Sequence, residues 1–139
     1  MSKHCKTFDH TADVGLEARA DTLAELYEAL AEGMAELICT RSSVVPAETR
    51  TLAVAAEDRE ALAVDFLAEV LGLVETERLM VASVKVRMSG ETALTATVRC
   101  EAYNPGRHEI RTEVKAVTYH MLSVVEEGGH WTGTVVLDL

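Results

Sequence analysis

From about residue 78 onward the hydrophobic period of this chain switches to two and stays there, and that switch restricts the fold more than any other feature of the sequence. Ahead of it, apolar residues recur every three or four positions over two long stretches; beyond it they alternate with polar ones. Thr22-Leu23-Ala24-Glu25 is a capping box, in which the threonine hydroxyl meets an orphan amide and the glutamate reaches back. Leu23, Leu26, Tyr27, Leu30, Met34, Leu37 and Ile38 follow at helical spacing, which predicts a helix to about Cys39. Asp58 can cap a second helix from Arg59 to about Thr76, its apolar face carried by Leu62, Phe66, Leu67, Val70, Leu71 and Val74. From Arg78 onward, Ala82, Val84, Val86 and Met88 alternate with Ser83, Lys85 and Arg87. After Ser89-Gly90, Leu94, Ala96, Val98 and Cys100 alternate with Thr95, Thr97, Arg99 and Glu101. Strands of this kind bury one face and wet the other.

Asn104-Pro105-Gly106 reads as a turn, after which Glu113 to Val125 and Trp131 to Leu139 are expected to pair across Gly128-Gly129. Residues 4–8, 14–20 and 51–56 read as shorter strands. The expected architecture is α+β, a single domain over 1–139 with two helices packed against one largely antiparallel β-sheet.

Charge narrows the function. Lys and Arg total 13 against 23 Asp and Glu, a formal net charge of -10, which argues against direct DNA binding and leaves RNA to be reached through a partner. With a mean hydropathy of +0.09, the chain has no apolar run near the ~20 residues of a membrane helix. Its start also lacks a secretory stretch, so a cytoplasmic protein is expected. Cys5, Cys39 and Cys100 form no C-x-x-C pair, and Cys100 reads as a small buried apolar group. No nucleophile elbow, phosphate loop or dinucleotide fingerprint is present, which favours a binding or accessory protein over an enzyme.

The chemistry concentrates in Phe8-Asp9-His10-Thr11-Ala12-Asp13-Val14-Gly15, a polar turn between two short strands. Asp138 stands at the other end, one residue from the carboxylate of Leu139, so three acidic groups converge if the ends meet. Asp13, Asp138 and that carboxylate are hard oxygen donors suited to calcium, magnesium or manganese. The bland alternative is an aspartate that accepts backbone hydrogen bonds in a turn. Asp9 and His10 flank the site, and His10 is either a ligand, a base or a turn cap. Asp65 and Glu69, four apart on the second helix, read as solvated flank residues before metal ligands. Glu113 and Lys115 share a face of a regular strand and His120 points the other way, unless a bulge intervenes. Lys115 is a candidate point charge for a phosphate or a partner's acid.

Three separated motifs then carry a resemblance: Asp9-His10-Thr11-Ala12-Asp13-Val14-Gly15, Glu113-Val114-Lys115-Ala116-Val117-Thr118-Tyr119-His120, and the closing Val136-Leu137-Asp138-Leu139. Together with Val64-Asp65-Phe66-Leu67 and Glu69, and with Pro105 before His108, they resemble the archease family over nearly the whole chain. Gly72 and Ala68 depart from the larger or polar helix residues expected there, and Asn104 from an acid. The resemblance implies a non-enzymatic accessory protein of RtcB-type RNA ligases, which join tRNA halves and other RNA ends. Such a protein promotes guanylylation of the ligase and multiple turnover. It further implies that Asp13, Asp138 and Leu139 form a divalent metal site, calcium first, that Lys115 serves partner activation, and that Asp9, His10, Glu113 and His120 surround them. A chaperone-like modulator of a tRNA methyltransferase, and a metal-dependent phosphoester hydrolase, are the rival expectations.

Overall fold

A computed structural model describes residues 3–10 and 13–139, with Asp9 and His10 described by their main chain alone. The tip of the expected acidic turn, Thr11-Ala12, lies outside the described residues. Among these, the order is β1 (His4–His10), β2 (Asp13–Ala20), α1 (Leu23–Ile38), a short 3-10 turn (Arg41–Ser43), β3 (Glu48–Ala55), α2 (Arg59–Glu75), β4 (Leu79–Met88), β5 (Ala93–Ala102), β6 (Ala116–Glu127) and β7 (His130–Asp138).

Both helices start where their caps place them. The Thr22 hydroxyl accepts the Glu25 N–H at 3.2 Å, and the Asp58 carboxylate accepts the Ala61 N–H at 2.7 Å, each removing one orphan donor from a helix N-terminus. Tyr27, Phe66, Leu16, Leu26, Leu30 and Leu67 are fully buried. The Tyr27 and Phe66 rings meet edge to face at 6.3 Å, and the Tyr27 hydroxyl donates to the Arg59 carbonyl, so neither its ring nor its polar tip is wasted.

The strands are antiparallel throughout, but they divide between two sheets where one was expected. One sheet runs β1-β2-β7-β6 and the other β3-β5-β4. Alternation shows which face of a strand is wet; it does not name the neighbouring strand. The chain crosses between sheets through residues 103–115, which form no strand, and the strand expected from Glu113 therefore begins at Ala116. There Arg111 donates its N–H to Ile38 at the end of α1, outside any ladder. In the same way β3 begins at Glu48, ahead of the expected 51.

Each helix covers the face of one sheet and the edge of the other. α1 packs on β2 and β7 and abuts β4, while α2 packs on β3 and β4 and abuts β6. At those edges, carboxylates stand in for a missing strand. Glu28 and Glu32 of α1 accept the N–H groups of Val86 and Val84 at 2.7 and 2.9 Å, and Glu60 of α2 accepts that of Val124 at 3.3 Å. Arg41 supplies the complementary donor to the Ala82 carbonyl. Edges closed in this way cannot template pairing with a foreign strand.

Gly128 and Gly129, at φ +59° and +81°, form the two-residue turn that joins β6 to β7. Positive φ at both centres is the type I′ geometry that matches strand twist.

Candidate functional site

β2 begins at Asp13 and β7 ends at Asp138, and their register sets these two residues opposite each other. Paired residues of an antiparallel ladder share a face, with Cβ atoms about 4.5–5.5 Å apart. The alternation agrees: Val14 and Leu137, the next pair, point into the core, so Asp13 and Asp138 point outward. Asp13 is half-buried and Asp138 exposed. Among the described residues, neither carboxylate has an ion-pair or hydrogen-bond partner. Among the described side chains, two like charges therefore face each other without a counter-charge, an arrangement that costs stability.

Four elements hold the pair. The Phe8 ring lies over Gly15, where any Cβ would fall 1.9 Å from it, so the position beside Asp13 admits only glycine while the ring stays in place. The main chain of His10 pairs with Asp13 in the ladder; its side chain and that of Asp9 lie outside the description. Leu139 packs its side chain against the core, which fixes the main chain just past Asp138. Lys115 donates its N–H to the Asp138 carbonyl at 2.8 Å, and its side chain is exposed. The structure thus brings Asp13, Asp138, Leu139 and the main chain of Lys115 together. Among the described residues there is no cluster of three or more His, Cys, Asp or Glu able to hold a metal, so the two aspartates are a partial donor set.

The remaining candidates are placed otherwise. Glu113 lines a cleft of about 180 Å³ with Ile38, Leu71, Arg78, Met80 and Ile110. His120 sits in a bulge, where β6 shifts register between Thr118 and Ser123 against β7. Tyr119 and Met121 of that bulge are 64% and 51% exposed, and Met121 takes a positive φ of 54°. The simple alternation that set His120 opposite Lys115 therefore ends at Thr118. Asp65 is half-buried and Glu69 exposed on the flank of α2.

A polar cluster of another kind holds the loop after β5. The Glu101 carboxylate accepts from the Arg107 guanidinium, from the Val45 N–H and from His108 Nε2, and these bonds push its pKa down to about 2, the Arg107 bond foremost. His108 is buried, and its Nδ1 accepts the Asn104 N–H at 2.9 Å, so the ring proton lies on Nε2 toward Glu101. In the sequence, His108 enters only through the family resemblance, as the histidine that follows Pro105. The four-residue return from Asn104 to His108 was the available signal.

Two helices on antiparallel sheets, with an outward acid pair where β2 and β7 meet, define a small α+β protein. Residues 6–139 match the profile of the Archease protein family, and the chain belongs to that family. It is 38% identical to Protein archease of Thermococcus kodakarensis over 136 residues, covering 95% of this chain and 96% of that protein. Against Protein archease of Methanothermobacter thermautotrophicus it is 38% identical over 135 residues, with the same coverage. The solution structure of Methanobacterium thermoautotrophicum protein 1598 superposes with a TM-score of 0.81 at 36% identity, over 97% of this chain and 98% of that one. The crystal structure of an archease described as a possible chaperone, from Thermotoga maritima, shares the fold at a TM-score of 0.67 and 22% identity, over 96% of each chain.

Proposed function

We propose that this protein is an accessory activator of an RtcB-type RNA ligase in the cytoplasm, promoting guanylylation of the ligase and multiple turnover without joining RNA itself. The observation that carries the reading is the pair Asp13 and Asp138, without a partner among the described residues and held outward beside the main chain of Lys115. Such a pair is poised to take a cation or a partner's base. The net charge of -10 suits docking on a basic, RNA-handling enzyme, because complementary potentials steer encounter.

The donors present fit a hard divalent ion. Asp13, Asp138 and the main-chain carboxylate of Leu139 would hold calcium, with magnesium and manganese as alternatives, and would leave positions open to water or to the partner. Bound there, the ion would cancel the repulsion between the aspartates and supply a Lewis-acidic centre. Lys115 would offer its ammonium to a phosphate or an acidic group of the partner. Asp9 and His10, at the adjoining end of β1, would flank these groups, whereas Glu113 and His120 stand in the cleft and the bulge already described.

The experiment is ligase turnover with GTP at limiting enzyme, with wild type compared with Asp13→Asn, Asp138→Asn and Lys115→Ala. Each variant is expected to fold and to lose stimulation on the order of tenfold or more. Normal stimulation by all three would overturn the reading. A chaperone-like action on a tRNA methyltransferase would instead suppress aggregation of that enzyme equally well with Asp13→Asn.

A further inference from the structure

The outer face of the β3-β5-β4 sheet is the exception in an acidic chain. Register places Arg99 of β5 between Thr49 of β3 and Ser83 of β4, with Lys85 beside Thr97 and Arg87 beside Thr95 in the next two rows. The opposite faces of these strands, Val84, Val86, Leu94, Ala96 and Val98, are buried, so the cations stand on the solvent side. Lys85, Arg87 and Arg99 are exposed, and among the described residues none has an acidic partner. Elsewhere cations are mostly taken: Lys3, Lys6, Arg41, Arg50, Arg59, Arg107 and Arg111 all form ion pairs.

The acids nearest this sheet are also engaged. Glu48 and Glu77 bind Arg50, Glu91 binds Arg59, and Glu101, the next residue of β5 on the same face as Arg99, binds Arg107 and His108. Apart from Glu101, which Arg107 and His108 engage, the face carries three cations among hydroxyls and alanines. Net charge and local charge are different quantities here.

We infer that this sheet face binds the sugar–phosphate backbone of RNA, without reading its sequence. Phosphate oxygens take their hydrogen bonds from Arg, Lys, Ser and Thr, which are the residue types present. The face has no aromatic side chain to stack a base and no large apolar anchor of the kind that protein interfaces need. Lys85 and Arg87 are two apart on β4, so their side chains leave the sheet about 6.8 Å apart, with Arg99 one strand over. Three contacts give weak binding, useful chiefly where RNA is already held nearby. The phosphate-binding face does not depend on the acid pair; the choice of RNA as its ligand rests on the proposed RNA-handling partner.

The test is fluorescence anisotropy of a labelled oligouridylate titrated with the full chain over a range of salt. Wild type is expected to bind weakly, with a log–log salt slope of about −2 from three contacts at about −0.7 each. The triple variant Lys85→Glu, Arg87→Glu, Arg99→Glu is expected to bind at least about tenfold more weakly. Its glutamine counterpart, which keeps the face polar and uncharged, should lose the salt slope, and Asp13→Asn with Asp138→Asn should retain it. No RNA binding by wild type, or equal binding by the folded triple variants, overturns the inference. So does binding of polyglutamate as tight as that of RNA, which would assign the face to acidic proteins.

Discussion

The carboxylate of Glu28 accepts the main-chain N–H of Val86 at 2.7 Å with one oxygen, while the other holds the Lys3 ammonium at 2.8 Å. Glu28 is 3% exposed, so a helix side chain acts as the missing neighbour of an edge strand inside the protein. Removing it orphans a buried N–H and leaves Lys3 with Glu32 alone. Glu28→Ala is expected to cost about 2–3 kcal/mol in urea unfolding, because an unsatisfied buried donor forfeits its full desolvation energy. Glu28→Gln, whose amide oxygen can still accept from Val86, should cost less.

Gly72 lies inside α2, and a Cβ built on it meets nothing within 4 Å. The departure from a larger residue at this position therefore reflects no packing demand. Gly72→Ala is expected to stabilise by about 0.5–1 kcal/mol, since alanine loses less chain entropy in a helix. A rise in the thermal midpoint at unchanged ligase stimulation would show it; a fall would mean that the position is constrained from elsewhere.

Features set within one turn of chain were legible in the sequence. Thr22 with Glu25, and Asp58 ahead of an apolar face, fixed both helix starts to the residue because a cap is local chemistry. The meeting of the chain ends was legible as a possibility, and β2 and β7 do pair there. The partition into two sheets was not, because it depends on which distant strands find each other. The bulge after Thr118 has no glycine to announce it, since Met121 takes the positive φ. Lys85, Arg87 and Arg99 were readable as a wet face, but their juxtaposition needed the β4 to β5 register.

Glu101 gives a pH dependence whose sign follows from its depressed pKa. Arg107, the Val45 N–H and His108 hold its folded value at about 2, against an ordinary 4.5. A depressed carboxylate contributes stability that is fully present above the ordinary value and is lost as pH falls through the folded one. Wild type should therefore exceed Glu101→Gln by a constant margin at pH 6–7, and that margin should shrink progressively from about pH 4.5 to 2. Urea midpoints at pH 7, 4 and 2.5 measure it; a margin independent of pH would show that the charge is not the source.

The acid pair makes opposite predictions with and without a divalent ion. In EDTA, Asp13 and Asp138 only repel across the β2–β7 ladder, so Asp138→Asn is expected to stabilise by up to about 1 kcal/mol. In millimolar calcium, wild type should gain stability by mass action, about 2.7 kcal/mol at a hundredfold excess over the dissociation constant, whereas Asp138→Asn should gain little. The order of thermal midpoints therefore inverts on adding the ion. Calcium, magnesium and manganese are ranked by the size of that gain. A variant more stable than wild type in both conditions would mean that the pair awaits a partner's basic group and holds no metal of its own.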